Sequence, residues 1–357
     1  MKKNKVIISG YYGFNNIGDE AILHSILTII KNEHKDLIPV VLSNNPSETT
    51  RAHNVLSINR YSIKDIFRYL CESVLFISVG GGLLHDINGP KTVIYYCSLI
   101  ILSKLFRVPV MIFAQGIGPL NMDLSKKIVK FTLNKCDMIC LRDEVSVRLI
   151  ESLIHEKNNI NLTGDPVFLL NNSTPAVSGK GMNKKIAVSL REWKFDDSSL
   201  KNIADFLDIL YKDHGYSIYF IPFQMDKDLQ ICNYVKKLLK SPSEIFDCKN
   251  NVINMLEFFK SADIILAMRL HALIFAAITE KPFIGISYDP KTDYFLETIN
   301  VKKNNFNEVY TIELLKQFND LKKDSSVFID ELRQKLTLIR NRSQLNCFFL
   351  NKILTKQ

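Results

Sequence analysis

The sequence lacks the features that mark secreted and membrane-spanning proteins. The lysines near the N-terminus are followed by only a few apolar residues before glycine and asparagine appear, which excludes a signal-peptide pattern. The longest apolar run, residues 93–102, is too short to cross a bilayer and favours a buried helix. The seven cysteines form no CxxC pair and mostly lie in apolar contexts, as reduced cysteines do. We therefore expect a cytoplasmic protein.

A basic tail is absent as well, and the excess of positive charge is spread over both halves of the chain. The net charge is +9, and the first 175 residues hold 19 basic and 15 acidic residues against 27 and 22 in the rest. Without a basic tail or a Lys/Arg-rich aromatic stripe, we expect no nucleic-acid partner. The mild basic excess suits an anionic small substrate or a polyanionic membrane surface, and is equally compatible with an ordinary solvated surface. No His/Cys/carboxylate cluster has metal-ligand spacing, so we predict no metal.

Standard nucleotide-binding fingerprints are also missing, although the chain opens with a strand, a glycine-rich loop and a helix. The apolar run Val6–Ile8 ends at Ser9, and a helical pattern with an acidic first turn follows the loop. Neither G-x-G-x-x-G spacing nor Gly-Lys-Ser/Thr is present. The loop is predicted to lie at the carboxyl edge of a parallel sheet, where α/β proteins bind ligands; a tight turn without a ligand is the alternative. Its glycines and asparagines are Gly10, Gly13, Asn15, Asn16 and Gly18.

Apolar strand-like runs alternate with helical patterns, which predicts an α/β protein with parallel sheets covered on both faces. The polar stretch 171–185 is the best linker and predicts an N-terminal domain, 1–172, and a C-terminal domain, 183–357, that ends in helices. This organisation resembles the glycosyltransferase-B architecture, with two Rossmann-like domains facing each other across a cleft that holds the active site. The predicted strands are 6–9, 38–42, 74–79, 110–114, 138–141, 160–163, 186–190, 217–222, 263–268 and 283–287.

Two segments of the first half place candidate binding residues directly after predicted strands. Gly80, Gly81 and Gly82 follow a buried strand, and consecutive glycines allow close approach of a ligand or of another backbone in a crowded turn. Arg142 follows the strand at 138–141 and is a candidate anion ligand. Its alternative is a salt bridge to Asp143, Glu144 or Asp165, since arginine is so often paired.

The segment from 255 to 286 contains the most informative residues of the second half. Arg269 and His271 lie where a strand ends and an apolar helix begins, and a helix N-terminus beside an arginine suits a phosphate or carboxylate. The alternative is that His271 is a core histidine, because Phe275 and Ile278 follow on its helical face. Lys291, just past the next strand, belongs either to the same site or to a surface loop.

Together these segments resemble the polysaccharide pyruvyl transferases, and in particular the branch that pyruvylates secondary cell-wall polymers. The resemblance extends from residue 10 to residue 291, and the combination of motifs is specific although no single one is. The motifs are GYYGFNNIGDEAIL (10–23), VGGGLLHD (79–86), AQGIGPL (114–120), LRDEVS (141–146), TGDP (163–166), MRLHALIFA (268–276) and ISYDPK (286–291).

The resemblance implies an enzyme that transfers the enolpyruvyl carbons of phosphoenolpyruvate to two hydroxyls of a sugar, forming a cyclic ketal and releasing phosphate. For the cell-wall branch it implies a lipid-linked N-acetylmannosamine–N-acetylglucosamine acceptor, with the ketal across the 4- and 6-hydroxyls. Phosphoenolpyruvate is the donor substrate and no cofactor is implied. A lipid-linked acceptor implies peripheral contact with the inner leaflet of the membrane.

These implications assign roles to the candidate residues. His271 is the predicted acid that protonates C3 of phosphoenolpyruvate, and Arg269 neutralises the leaving phosphate. Arg142 and Lys291 are predicted to bind the anionic donor with Arg269. Asn16 is a substrate-binding residue by the family pattern, and a helix N-cap or turn residue otherwise. The three glycines at 80–82 complete the predicted substrate-binding set.

Two other function classes remain open on the sequence. One is a glycosyltransferase or sugar-nucleotide epimerase of the same fold, since the run Lys281–Ile284 resembles donor-binding halves of such enzymes. Against it, residues 275–278 contain no carboxylate to hold a ribose. The other is a non-catalytic cell-wall-assembly protein that binds lipid-linked sugar.

Overall fold

The computed structural model describes residues 3–154, 159–170, 184–192 and 197–355. Most of the predicted linker, residues 171–183, lies outside these ranges. The chain divides into two compact units. The first consists of Met1–Phe14, Asp19–Leu170 and Ile339–Gln357, and the second of Asn15–Gly18 and Asn171–Leu338.

The first unit is built on a seven-stranded sheet in the order β3-β2-β1-β4-β5-β6-β7, in which every neighbouring pair is parallel. Its central strands are apolar and buried on both faces, as in β5, where all six residues are buried. The strands are β1 Lys5–Tyr12, β2 Ile38–Ser43, β3 Leu56–Asn59, β4 Ser73–Val79, β5 Val110–Gln115, β6 Met138–Leu141 and β7 Ile160–Leu162.

Among the described residues of the first unit, six helices connect the strands of this sheet, and buried apolar side chains of helices and strands form a packed cluster. The helices are α1 Ile17–Glu33, α2 Pro46–His53, α3 Ile63–Glu72, α4 Lys91–Leu105, α5 Asp123–Leu133 and α6 Glu144–Leu153. A short 3₁₀ helix, Pro166–Leu169, follows β7. In the described part of the chain, no helix has both the length and the apolarity needed to cross a membrane.

The second unit contains a six-stranded sheet in the order β10-β9-β8-β11-β12-β13, again parallel throughout, with its own core. Its strands are β8 Lys184–Ser189, β9 Tyr216–Phe220, β10 Ser243–Ile245, β11 Ile264–Ala267, β12 Phe283–Ser287 and β13 Lys303–Asn305. The helices that follow are α7 Asp197–His214, α8 Met225–Leu238, α9 Val252–Ser261, α10 Leu270–Ile278, α11 Pro290–Thr298, α12 Thr311–Lys323 and α13 Ser325–Leu354. The predicted α/β class with two parallel sheets is confirmed.

Both sheets have a topological switch point, where consecutive connections leave in opposite directions. It lies between β1 and β4 in the first unit and between β8 and β11 in the second. Open parallel sheets bind ligands outside the carboxyl ends of the strands at such points. This rule directs attention to the loops after β1 and β4, and to those after β8 and β11.

The C-terminal helix departs from the predicted domain boundary. Its last part, from Ile339, is grouped with the first unit, whereas the sequence suggested that everything after residue 183 belongs to the second. Two hydrogen bonds connect this part of the helix to the first unit: Ser343 Oγ donates to the carbonyl of Asp165 at 2.9 Å, and Asn346 Nδ2 donates to that of Gly164 at 2.8 Å. In each of these bonds the two residues lie more than 170 positions apart in sequence, so no local sequence pattern predicts the contact.

Candidate active site

The opening loop is attached to the second unit by backbone contacts. The Ile17 N–H donates to the carbonyl of Phe223 at 2.8 Å, and Asn16 forms an antiparallel bridge with Gln224. Asn16 also caps α1, because its Oδ1 accepts from the N–H of Gly18 at 3.2 Å. The capping alternative considered for Asn16 is therefore observed, and its role toward a substrate stays a prediction.

Gly18 brings this loop directly against His271. A Cβ added at Gly18 would lie 2.4 Å from Nδ1 and 2.9 Å from Cβ of His271, far inside van der Waals contact. Only glycine fits here without moving the imidazole. His271 is the second residue of α10 and is partly buried, whereas Ala272–Ile278 are all buried. The histidine thus lies at the edge of the core and faces the loop.

Arg269 is buried two residues before His271 and pairs with Asp228 on α8. Its Nη2 contacts Oδ1 of Asp228, which is fully buried. The other oxygen of Asp228 accepts from the N–H groups of Phe223, at 3.1 Å, and Gln224, at 2.9 Å. Asp228 therefore connects Arg269 to the turn between β9 and α8, and this turn contacts the opening loop. We call Gly18, Asp228, Arg269 and His271 the Arg269 site.

The guanidinium of Arg269 is not saturated by this pairing. Within the described residues, its Nε has no hydrogen-bond partner. One carboxylate balances its charge, and that carboxylate also serves two backbone donors. Neighbouring Cys232 offers no nucleophile, because burial, with a smaller contribution from Asp228, raises the pKa of its thiol to about 12. The side chains suited to act on a substrate at this site are the arginine and the histidine.

Arg191 and Tyr288 flank the Arg269 site along the same sheet edge. They follow β8 and β12, the two strands that border β11, so all three segments emerge at one carboxyl edge. Nη1 of Arg191 donates to the hydroxyl of Tyr288 at 2.5 Å. Burial, then Asp289, raises the pKa of Tyr288 to about 12, so its phenol is protonated at neutral pH. Lys291 is the second residue of α11, the helix that follows β12.

The three predicted glycines of the first unit lie at its switch point, after β4. Gly80 and Gly81 have φ angles of +43° and +68°, which favour glycine. A Cβ at Gly80 would come within 2.6 Å of Ile22, and one at Gly81 within 2.8 Å of Asp19 Oδ1. The crowded-turn alternative thus accounts for these two positions, because α1 packs directly over them. Substrate binding by the three glycines stays a prediction.

Arg142 follows β6 and is enclosed by two aspartates, with side-chain exposure of 7%. Its Nη1 lies 2.6 Å from Asp165 Oδ2, and its Nε lies 3.9 Å from Asp143 Oδ2. Each aspartate is fixed by a capping bond, from the Val167 N–H to Asp165 and from the Ser146 N–H to Asp143. The salt bridge considered from the sequence is therefore present. We call Gly116, Arg142, Asp143 and Asp165 the Arg142 site.

The structure places the predicted residues in two groups. Asn16, Arg269, His271 and Lys291 belong to the second unit, and the first three are joined through one contact network. Gly80–Gly82 and Arg142 belong to the first unit. Joint action of both groups on one substrate stays a prediction.

Sequence reasoning missed Asp228 and Arg191. Arg191 had a usable signal, because it follows a predicted strand just as Arg142 does. Asp228 had only a weak one, an acidic residue in the first turn of a helix. Its partner Arg269 lies 41 residues away in sequence, and no local pattern indicates that pairing.

Comparison with known proteins gives a family and a fold. The family model described as "Polysaccharide pyruvyl transferase" matches residues 16–290, a range that includes every residue of the Arg269 and Arg142 sites. No curated protein sequence matches the chain significantly.

Solved structures similar in fold cover nearly the whole chain. The S. aureus MnaA–UDP co-structure has a TM-score of 0.66 at 11% identity, covering 98% of this chain and 97% of its own. Anabaena HepE with UDP-glucose has a TM-score of 0.62 at 9% identity, covering 98% and 99%. The wall teichoic acid polymerase TagF has a TM-score of 0.58 at 14% identity, covering 99% and 88%. At these identities the likeness establishes the fold alone, and it confirms the predicted glycosyltransferase-B-like class.

Proposed function

Because the chain belongs to the polysaccharide pyruvyl transferase family, we propose that it transfers the pyruvyl group of phosphoenolpyruvate to a sugar as a ketal and releases phosphate. The observation that carries the proposal is the Arg269 site. A histidine held against a loop backbone stands two residues from a buried arginine whose Nε has no protein partner among the described residues. A proton donor beside a cation is what the reaction of an enol phosphate needs.

The proposed reaction begins with protonation of the donor. A proton from His271 moves to C3 of phosphoenolpyruvate, and one sugar hydroxyl adds to C2 as it loses its own proton. The C2–O bond to phosphate then breaks, the phosphate takes the electron pair, and the second hydroxyl adds to C2 with loss of its proton. The products are a cyclic ketal and inorganic phosphate. Acid catalysis of the first step contributes about 10²–10⁴-fold.

Cations on the second unit are proposed to bind the donor and stabilise the leaving phosphate. Arg269 offers a buried guanidinium, and Arg191 and Lys291 follow neighbouring strands at the same edge. Guanidinium–phosphate bonds are charge-assisted and can be bidentate, which positions the donor as well as holding it. The protonated Tyr288 keeps the charge of Arg191 uncancelled. Arg142 and Gly80–Gly82 are proposed to contribute from the first unit.

The finer identity of the acceptor is part of the proposal. Following the cell-wall branch, we propose a lipid-linked disaccharide whose N-acetylmannosamine receives the ketal on its 4- and 6-hydroxyls, in the cytoplasm at the inner face of the membrane. We propose that no cofactor takes part, since phosphoenolpyruvate supplies both the carbon and the leaving group.

The decisive assay combines phosphoenolpyruvate with a panel of lipid-linked disaccharide mimics. We expect phosphate release that depends on acceptor, and a product heavier by one ketal-linked pyruvate. In D₂O the new methyl group should carry one deuterium, because C3 gains one solvent-derived proton. Failure of every mimic together with no acceptor-dependent phosphate release would argue for a non-catalytic binding protein.

The His271→Ala variant tests the role of the histidine. We expect a folded protein whose turnover falls by about 10²–10⁴-fold. His34→Ala is the matched control, since His34 lies just beyond α1 in the first unit, outside both sites. Near wild-type turnover in His271→Ala would refute the assignment of the acid.

The second candidate is an enzyme acting on a nucleotide sugar. Two of the proteins similar in fold were solved in complex with UDP or UDP-glucose. Against this function, the buried residues 275–278 of α10 carry no carboxylate. Thermal-shift assays distinguish the two candidate functions. Stabilisation by UDP-glucose and none by phosphoenolpyruvate would favour an enzyme that acts on a nucleotide sugar.

A further inference from the structure

The outer surface of α4 and α5 in the first unit forms an apolar groove of about 500 Å³. Ile94, Ile101 and Leu105 of α4 line one side, and Ile128 and Phe131 of α5 line the other. Leu105 is 74% exposed and Phe131 58% exposed. Contiguous apolar surface of this kind in a soluble fold indicates an interaction site. We call the groove and its rim the α4–α5 surface.

Charge is concentrated at the same place. Residues 91–135 contain seven Lys or Arg and one Asp, whereas the other residues among the first 175 contain twelve basic and fourteen acidic. Most of the net +9 thus belongs to one segment, although the totals for the two halves of the chain look even. The charged residues of the segment are Lys91, Lys104, Arg107, Asp123, Lys126, Lys127, Lys130 and Lys135.

Some of these charges border the groove itself. Lys127 lines it, and the ammonium of Lys135 lies 4.8 Å from the ring centroid of Phe131. Lys104 pairs with Asp137 at 2.7 Å, and Lys126 lies 3.6 Å from Asp123. Counting Asp137 as well, a clear positive excess remains. Apolar side chains rimmed by lysines are the pattern of surfaces that insert shallowly among lipid head groups.

We propose that the α4–α5 surface docks onto an anionic lipid bilayer, with Leu105 and Phe131 entering the head-group region and the lysines contacting lipid phosphates. A second copy of the chain is a poorer occupant, because two strongly positive faces repel each other. An acidic protein partner would satisfy the lysines but gives no reason for an exposed groove of aliphatic and phenyl groups. The lipid surface satisfies both features at once.

The docking proposal is tested without any substrate, so it can fail independently of the proposed reaction. The full chain is sedimented with vesicles of phosphatidylcholine alone, or of phosphatidylcholine mixed with phosphatidylglycerol. We expect binding to the anionic vesicles that weakens as salt is added, and little binding to the neutral ones. No binding to either kind, or equal binding to both, would overturn the proposal.

Two double variants locate the surface. Lys127→Glu with Lys135→Glu should weaken binding by about 25-fold or more, because each lysine lost costs about fivefold in affinity. Leu105→Ser with Phe131→Ser should weaken it by roughly tenfold, because the apolar contact is lost. The charge control is Lys236→Glu with Lys237→Glu on α8, and the apolar control is Ile312→Ser with Leu338→Ser. These four control positions are exposed in the second unit.

The controls should bind as the wild type does, and light scattering should show the same mass for all variants. Unchanged binding in both α4–α5 double variants would refute the location. A wild-type dimer that both double variants convert to monomer, with no vesicle binding, would instead assign the surface to a second copy of the chain.

Discussion

Arg142 in the first unit and Arg269 in the second occupy similar places and have different surroundings. Each follows a buried parallel strand, is nearly buried and contacts an aspartate from a distant part of the chain. Arg142 faces two carboxylates, from Asp143 and Asp165. Arg269 faces one, and its Nε has no partner within the described residues.

The difference shows why the presence of an ion pair does not by itself decide whether an arginine can bind an anionic substrate. An arginine with two carboxylates around it has its charge more than balanced, so an incoming anion gains little there. An arginine with a single carboxylate that also serves two backbone donors retains more attraction for an anion. Arg269 is therefore the better placed of the two to bind a phosphate or carboxylate.

The largest expected difference concerns the aspartates. Asp228→Ala should lower the free energy of unfolding by about 3–5 kcal/mol, because it leaves a buried guanidinium uncompensated. Asp165→Ala should cost less, because Asp143 still faces Arg142. Chemical denaturation measures both, with Asp228→Asn as an intermediate control that removes the charge and keeps one oxygen acceptor. If the Asp165 variant were as unstable as the Asp228 variant, the second carboxylate at Arg142 would not compensate for the loss of the first.

The next difference concerns activity toward phosphoenolpyruvate. Arg269→Lys should lower kcat/KM by about 100-fold, because lysine cannot reproduce the two-pronged contact with phosphate. Arg142→Lys should lower kcat/KM less, by no more than about tenfold, because the two carboxylates around Arg142 weaken its proposed contribution to donor binding. Steady-state kinetics on the two variants decide this. Equal losses would mean that Arg142 contributes as much to donor binding as Arg269 does, despite its two carboxylate partners.

A smaller difference in stability is expected between substitutions of the glycines that belong to the two sites. Gly18→Ala should cost about 2 kcal/mol of stability, because the new Cβ would strike the Cβ and ring of His271. Gly116→Ala should cost less, since its Cβ would meet Arg142 Nε at 3.0 Å, on a longer and more flexible side chain.

A double-mutant cycle provides the control for that comparison. In the His271→Ala background, Gly18→Ala should become nearly neutral, which gives a coupling free energy of about 1–2 kcal/mol. Additive effects of the two substitutions would show that the loop does not pack on the imidazole.

The smallest expected effect is a dependence of folding stability on pH that arises from His24 in the first unit. Burial, and then His53, lower the pKa of His24. Below about pH 6.5 the unfolded chain therefore binds a proton that the folded chain does not, and stability should fall with a slope of at most about 1.4 kcal/mol per pH unit. The fall should end once the pH passes below the folded-state pKa.

His24→Gln is expected to remove this component, measured as unfolding midpoints across pH. An identical pH profile for wild type and variant would exclude His24 as its source.

Prediction from the sequence succeeded for the central strands and for the edge strand β7, and failed at the other three sheet edges. The apolar runs that became β1, β4, β5, β8 and β11 are long enough to be recognised, because both faces of a central parallel strand are buried. The strands β3, β10 and β13 were not predicted. Each is an edge strand of three or four residues with exposed positions, so its sequence carries little apolar pattern.

In the candidate site, too, local features were predicted from the sequence and long-range contacts were not. Arg269 and His271 were predicted because a strand ends and an apolar helix begins at that point, which is a local pattern. The contact of Gly18 with His271 joins residues more than 250 positions apart, and the pair formed by Asp228 and Arg269 joins α8 to the residue before α10. These contacts depend on how the elements pack.

By itself, the sequence determined the α/β class, the parallel sheets, the family resemblance and the positions of the main cations. Periodicity and strand-end chemistry are properties of neighbouring residues, so they are visible in one dimension. Tertiary structure alone decided that Asn15–Gly18 pack on the second unit, that the end of α13 packs on the first, and that the two arginines differ in their carboxylate partners. Burial and ion pairing are set by residues distant in sequence, and only folding brings those residues together.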